Sequence, residues 1–221
     1  MLVADLITDE VPPLKHTDSI DQALHWMEEF KVTHLAVIKG KELLGIVSES
    51  DLLDSNSDPN EELGKARLHF SRPVLHANQH AYDALKLMSA LNLSLLPVIN
   101  EKELFDGCIT QKSILEKMAF LSAVAEPGGI IELEMNKNDY SLTQIASIVE
   151  GNDAKVLSLN VASSPDTTKI EVTLKVNKEE LSGIIQTFHR YNYNVKASFH
   201  QAQYENDLKN RFDEFMRYLD I

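Results

Sequence analysis

The chain has 221 residues, 43% of them hydrophobic, a size and composition that suit one or two ordinary globular domains. Asp and Glu number 34 against 21 Lys and Arg, a formal net charge of −13, and no run of Lys or Arg forms a basic stripe, so neither nucleic acid nor an anionic membrane is an expected partner. A small anion remains admissible, because one lysine and a helix N-terminus can hold a phosphate locally. The start, Met1-Leu2-Val3-Ala4-Asp5, lacks the positive beginning and apolar core of a signal peptide. No apolar run is long enough to span a bilayer, and the lone Cys108 cannot form an internal disulfide. These features predict a cytoplasmic protein.

In chain order, residues 1–120 are written twice. Helix-spaced Ile20, Ala23, Leu24 and Met27 recur as Ala81, Ala84, Leu85 and Met88, and Leu35-Ala36-Val37-Ile38 recurs as Leu96-Pro97-Val98-Ile99. Gly45-Ile46-Val47-Ser48-Glu49-Ser50-Asp51 recurs, degraded, as Gly107-Cys108-Ile109-Thr110-Gln111-Lys112-Ser113. The offset is 61 at the helix and 62 at the turn, which places one extra residue in the hairpin loop of the second copy. Each copy reads strand–helix–strand–strand–helix. In the first, Ser19 or Asp18 caps a helix ending near Phe30, Leu35–Ile38 and Leu44–Ser48 form a hairpin around residues 39–42, and a second helix runs from Ser48 to about Asp54. A polar, Pro-broken loop, residues 54–62, separates the copies. The second copy closes with a helix from about Lys112 to Val124, stopped by Glu126-Pro127-Gly128-Gly129, where a domain boundary is expected.

Beyond the boundary the pattern changes. Ile130–Met135, Val156–Val161, Ile170–Val176 and Tyr193–Phe199 read as strands, and Leu142–Val149 and Leu181–Tyr191 as helices, giving the order βαββαβ of a ferredoxin-like half-sandwich. Tyr204, Leu208, Phe212, Phe215 and Leu219 then form the apolar stripe of an amphipathic helix, expected to be buried in cis or against a second subunit.

The turn motif of a Gly, two apolar residues, a Ser or Thr, two variable residues and an Asp, after a Leu-Pro-Val-Ile-like strand and present twice, resembles a pair of CBS domains, the tandem arrangement called a Bateman module. Residues 129–200 resemble an ACT-type regulatory domain by strand order and by Gln144-Ile145-Ala146-Ser147-Ile148-Val149, and the whole layout is similar to acetoin-utilisation accessory (AcuB-like) proteins. The resemblance implies an α/β (α+β) fold. Its parts would be CBS repeats over residues 1–60 and 61–125, an ACT-like domain over 129–200 and a C-terminal helix over 201–221.

Members of the CBS family commonly bind adenosine-containing molecules between the repeats, so an adenosine-type effector is implied, with no cofactor otherwise. A helix that begins just past a strand end offers unpaired N–H groups to a phosphate, the Ser/Thr hydroxyl adds a hydrogen bond, and the Asp accepts the ribose hydroxyls. Ser48 and Asp51 supply a complete set, with Ile46 beside them. By the same resemblance Leu93, Ser94 and Leu95 would flank that adenosine, and Lys112 would point at its phosphate. A weaker second site would comprise Thr33, His34, Thr110 and Ser113, because Ser113 stands where the Asp should be.

Local chemistry offers plainer readings beside these. Ser48-Glu49-Ser50-Asp51 is a capping-box pattern in its own right. Lys112 also reads as a solvated first-turn lysine, His76 and His80 lack a third metal ligand, and His80 falls at a capping position. Trp26 reads as core or interface. The turn Asn138-Asp139-Tyr140-Ser141-Leu142 lacks the glycine on which amino-acid-binding ACT domains rely. No nucleophile triad, phosphate-cradling Gly loop or metal cluster is evident, so the expectation is a non-catalytic sensor that self-associates as a homodimer or higher assembly. A ligand-free oligomerisation module, an amino-acid-responsive regulator and an enzyme working in an inter-domain cleft are the alternatives.

Overall fold

Ser19 starts the first long helix. Its Oγ accepts the Gln22 amide at 3.1 Å, capping α1 (Ile20–Phe30), whose buried stripe of Ile20, Ala23 and Met27 is the one the spacing predicts. A two-residue strand, β1 (Leu14–Lys15), precedes α1, and the hairpin β2 (His34–Lys39) and β3 (Glu42–Ser48) leads on to α2 (Glu49–Asp54). The same five elements recur as β4 (Leu75–His76), α3 (Ala81–Leu91), β5 (Leu95–Ile99), β6 (Phe105–Thr110) and α4 (Gln111–Leu121). His80 caps α3, its Nδ1 accepting the Tyr82 amide at 3.2 Å. Each repeat forms a three-stranded sheet, β1-β2-β3 or β4-β5-β6, with the first pair parallel and the hairpin antiparallel. The first hairpin turns through residues 40–41 and the second through residues 100–104, so the register places the inserted residue in that loop. α4 ends at Leu121, short of the expected Val124.

The computed structural model describes residues 1–163 and 168–200. The chain separates into two units, Met1–Lys117 and Met118–Ile221. The division falls inside α4, ahead of the Pro-Gly stretch where the sequence suggests it. The chain just past α4 is held by the second unit, Ser158 Oγ donating to the Ser122 carbonyl at 3.0 Å. That unit comprises β7 (Gly129–Asn136), α5 (Leu142–Glu150), β8 (Val156–Ser163), β9 (Lys169–Val176), α6 (Ser182–Arg190) and β10 (Asn194–His200). Its sheet has the order β10-β7-β9-β8 and is antiparallel throughout, the ferredoxin-like arrangement. Ile131 and Leu133 on β7 and Val172 and Leu174 on β9 pack with Ile145, Ile148, Ile184 and Phe188 of the two helices, which accordingly share one face. The stripe Tyr204, Leu208, Phe212, Phe215 and Leu219 lies outside the described residues.

The first unit is tied together by an exchange of lead segments. The residues ahead of repeat 1 lie on repeat 2: the amides of Val3 and Ala4 donate to the carbonyls of Gln79 and Ala77 at 2.9 and 3.0 Å, and that of Thr8 to Cys108 at 2.9 Å. The residues ahead of repeat 2 lie on repeat 1 in the same fashion. Leu63 and Gly64 donate to Asp18 and His16 at 2.9 and 2.7 Å, and the Ser71 carbonyl accepts the Ile46 amide at 2.7 Å. One core results, joining Leu35, Val37 and Val47 of the first repeat to Leu95, Ile99 and Cys108 of the second.

Both crossings pass over a glycine. Each hairpin register slips just before it, and Gly45 and Gly107 take φ of +151° and +148°. A Cβ on Gly45 would stand 2.5 Å from the Ser71 carbonyl oxygen, and one on Gly107 would stand 2.5 Å from the Ile7 side chain. Gly45→Ala therefore combines backbone strain with a clash against main chain, and is expected to cost about 1–3 kcal/mol of stability. Urea denaturation measures this, and an unchanged midpoint would show that the crossing segment yields freely.

Candidate functional site

β3 runs into α2 at Ser48, whose Oγ accepts the Asp51 amide at 3.1 Å while Asp51 Oδ2 accepts the Ser48 amide at 3.3 Å, a reciprocal capping box. Ser48 Oγ also donates to Asp51 Oδ2 at 2.6 Å, and Ser50 Oγ lies 2.9 Å from the same hydroxyl. Asp51 is exposed, so its carboxylate closes the turn and still faces solvent. Ile46 is only 2% exposed and its amide is committed to Ser71, which places it in the wall behind the turn. The second turn repeats this geometry without the charge. The Ser113 amide donates to Thr110 Oγ1 at 3.1 Å, the Thr110 amide donates to Ser113 Oγ at 3.1 Å, and Ser113 Oγ donates to the Thr110 carbonyl at 3.0 Å.

The two turns meet along a polar seam. The Thr33 amide donates to Ser94 Oγ at 2.9 Å, and the Ser94 amide donates to His34 Nδ1 at 3.3 Å. His34 Nδ1 also lies 3.1 Å from Thr33 Oγ1 and 3.2 Å from Ser94 Oγ. The first amides of α2 and α4 close onto the same pair, Glu49 donating to the Thr33 carbonyl at 3.0 Å and Gln111 to that of Ser94 at 3.1 Å. Leu93 and Leu95 are buried beside the seam, and the Leu93 carbonyl accepts Gln111 Nε2 at 3.1 Å. Because His34 Nδ1 accepts a backbone amide, the neutral ring carries its proton on Nε2. Burial lowers the pKa of His34 below its ordinary value, and the Asp51 charge opposes that shift.

A cavity of about 300 Å³ opens at the second turn. Ser94, Thr110 and Lys112 of repeat 2 line it together with Phe30 and Val32 of repeat 1 and Glu10 of the first lead segment. Thr110 is 5% exposed. Lys112 Nζ donates to both Glu10 oxygens, at 2.8 and 3.0 Å, and this bond raises the lysine pKa.

The structure groups the candidate residues differently from the expected arrangement. Lys112 joins Thr110 rather than Asp51 at one cavity, because it sits on the turn that Thr110 begins and its ammonium is drawn to Glu10. His34 stands directly opposite Ser48 in the β2–β3 register, so it belongs with the Asp51 turn rather than with Thr110 and Ser113. Thr33 and Ser94 lie between the two turns. Sequence reasoning missed Glu10, which is 102 positions from its partner and carries no motif.

A larger cavity, about 520 Å³, lies in the second unit, where Lys169 pairs with Glu134 at 2.9 Å, Tyr193 donates to Gln144 at 2.9 Å and Asn136 donates to Asp139 at 2.9 Å. Its polar groups thus already engage one another. Among the described residues no group of three His, Cys, Asp or Glu is placed to hold a metal ion, and no helix is long and apolar enough to cross a membrane. Burial pushes the Cys108 thiol up to about 12.

The two repeats, with their glycine–turn–helix signatures, match the family model of the CBS domain over residues 3–58 and 69–119, as a tandem pair. It is 28% identical over 116 residues to the homoserine O-acetyltransferase of Methanohalobium evestigatum, covering 51% of this chain and 23% of that protein. The chain spans between 23% and 36% of the length of the curated relatives it matches. Among solved structures, a putative acetoin utilization protein (AcuB) of Vibrio cholerae is 25% identical with a TM-score of 0.49, over 57% of this chain and 98% of that one. A CBS domain pair/ACT domain protein of Thermotoga maritima is 21% identical with a TM-score of 0.48, over 54% and 98%.

The lowered pKa of His34 has a consequence for stability. As the pH falls below the unfolded value of about 6.5, the unfolded chain takes up this proton before the folded one, so stability declines until the folded ring also titrates. The drop in urea midpoint between pH 7 and pH 5 should therefore be smaller in His34→Gln than in the wild type. An equal drop in both would show that the ring titrates as it does in water.

Proposed function

We propose that the chain is a non-catalytic regulator whose CBS pair binds an adenosine-type nucleotide or nucleoside at its strand-to-helix turns. The observation that carries this reading is the cavity at Thr110, whose wall combines Phe30 and Val32 from one repeat with Ser94 and Lys112 from the other. Its volume is at the lower end of small-molecule sites, and its mixture of an apolar wall with a few polar groups suits a base and a sugar. The hydroxyls and amides of both turns are committed to caps and to the Thr33–His34–Ser94 seam, an arrangement that favours recognition over proton transfer. A ligand in contact with both repeats regulates by binding one conformation of the chain better than another.

The two turns are unequal in this scheme. The exposed carboxylate of Asp51 accepts a pair of ribose hydroxyls with charge assistance, whereas Ser113 has turned its hydroxyl to the Thr110 carbonyl. One tight adenosine site per chain is expected at the Asp51 turn, and a second, weaker one in the cavity at Thr110. The βαββαβ unit serves as an ACT-type assembly domain rather than an amino-acid sensor, a reading supported by the mutual pairing of the polar groups in its cavity. Leu53, Tyr82 and Leu115 on helices of the first unit are 64%, 60% and 70% exposed, apolar surface that a second copy of the chain covers.

A thermal-shift screen with AMP, ADP, ATP, NAD and S-adenosylmethionine tests the central claim, and no shift with any of them would favour a ligand-free oligomerisation module. For a compound that binds, Asp51→Ala should weaken affinity by about 1.5–3 kcal/mol in calorimetry, and wild-type affinity in that variant would remove Asp51 from the site. Light scattering at micromolar concentration should find a dimer or larger species. A monomer there would refute self-association.

A further inference from the structure

We propose that Glu10 sets the charge selectivity of the cavity at the second turn, holding Lys112 and disfavouring ligands that carry a phosphate relative to uncharged adenosine-type ligands. This inference rests on the preceding reading of the cavity as an adenosine site. Glu10 belongs to neither turn. It arrives on the exchanged lead segment, where the Thr8 amide bonds to the Cys108 carbonyl at 2.9 Å and the Glu10 amide donates to Thr8 Oγ1 at 3.2 Å, fixing the backbone at the cavity rim. Its carboxylate accepts both short bonds from Lys112 Nζ.

That geometry does two things to an incoming phosphate. It occupies the Lys112 ammonium, which shares the cavity wall with Lys31 but is the lysine that stands at the turn itself, and it sets a fixed negative charge beside the place the phosphate must enter. Lys112 stands on the first turn of α4, where the helix dipole disfavours a cation and favours an anion. Glu10 thus already fills the electrostatic role that a ligand phosphate would take there. Both side chains are more than half exposed, so water screens the pair and keeps it openable. The selectivity comes from the position of the carboxylate and not from the strength of the ion pair.

The other lead segment differs in sign. Between its crossing point at Ser71 and β4 stand Arg72, Pro73 and Val74, a cation and no acid, where the first lead segment has Asp9, Glu10, Val11, Pro12 and Pro13 between Thr8 and β1. The exchange therefore brings an acidic stretch, with Glu10 at the second turn, on one segment and a basic residue on the other.

Calorimetry of AMP and of adenosine with the full chain tests this in an Asp51→Ala background, which leaves the second-turn cavity to be read alone, using that background by itself, with Glu10→Gln, and with Glu10→Gln/Lys112→Gln. Glu10→Gln is expected to tighten AMP binding about tenfold while changing adenosine binding less than about twofold, and the second substitution should abolish the gain. An unchanged ratio of AMP to adenosine affinity in Glu10→Gln would overturn the proposal, as would a gain that persists without Lys112. If neither compound binds any of the three proteins, the adenosine reading of the cavity fails and this inference fails with it.

Discussion

A three-stranded sheet leaves the backbone groups of its outer strand without partners, and neither repeat covers that edge with its own residues. The amide of Ile46 on β3 reaches the Ser71 carbonyl, and the carbonyl of Cys108 on β6 takes the Thr8 amide, so the cover for each repeat is the approach segment of the other. The crossing segment comes so close at those points, through the Ser71 carbonyl at Gly45 and the Ile7 side chain at Gly107, that a Cβ would not fit, and the two glycines occur at equivalent positions with matching dihedral angles. Half of this pair on its own would lack both an edge partner and the far side of its core. The placement of both turns follows from that, since α2 and α4 begin where the protected strands end.

Periodicity and caps made most of the elements legible. Ser19 and His80 cap where they are expected to, the inserted residue lies in the second hairpin loop, and the βαββαβ order of the second unit matches its strand pairing. These features are local, carried by residues a few positions apart. The exchange itself left little trace in the sequence because it consists of backbone hydrogen bonds from irregular segments, which any residue but proline can make. The grouping of His34 with Ser48, and of Lys112 with Thr110, depended on the register of a hairpin and on an acid 102 residues away. Symmetry carried over from a family pattern suggested the opposite grouping, because it assigns partners by equivalence and knows nothing of Glu10.

The divergence between the turns is chemically coherent. At the first, a carboxylate completes the capping box and remains exposed, and the half-buried His34 ring beside it has its pKa lowered because burial outweighs the attraction of that carboxylate. At the second, a hydroxyl replaces the carboxylate and caps equally well, since a cap needs only an acceptor for the amide. The negative charge missing from that turn is supplied from outside by Glu10, which meets the lysine that the helix start would otherwise hold unfavourably. Folding is indifferent to which turn carries the acid within its motif and which receives it from the lead segment. The proposed ligand recognition would not be, because among the described residues the first turn presents its carboxylate without an ion pair and the second does not.

The shared core also restricts how a ligand could act. Leu35 and Leu95, fully buried, belong to different repeats and to one cluster, and two lead segments cross between those repeats. Opening the repeats as rigid halves would break both crossings and part that cluster, a cost out of proportion to the affinity of a small molecule. A response driven by differential binding is drawn instead from parts of the molecule with few buried contacts. Residues 9–10 and the first turn of α4 meet that description, being exposed and joined by a solvated ion pair. Under the proposed function, the element a ligand would displace most readily is therefore the stretch that also holds the edge of β6, which would link occupancy of the cavity to the exchange that holds the pair together.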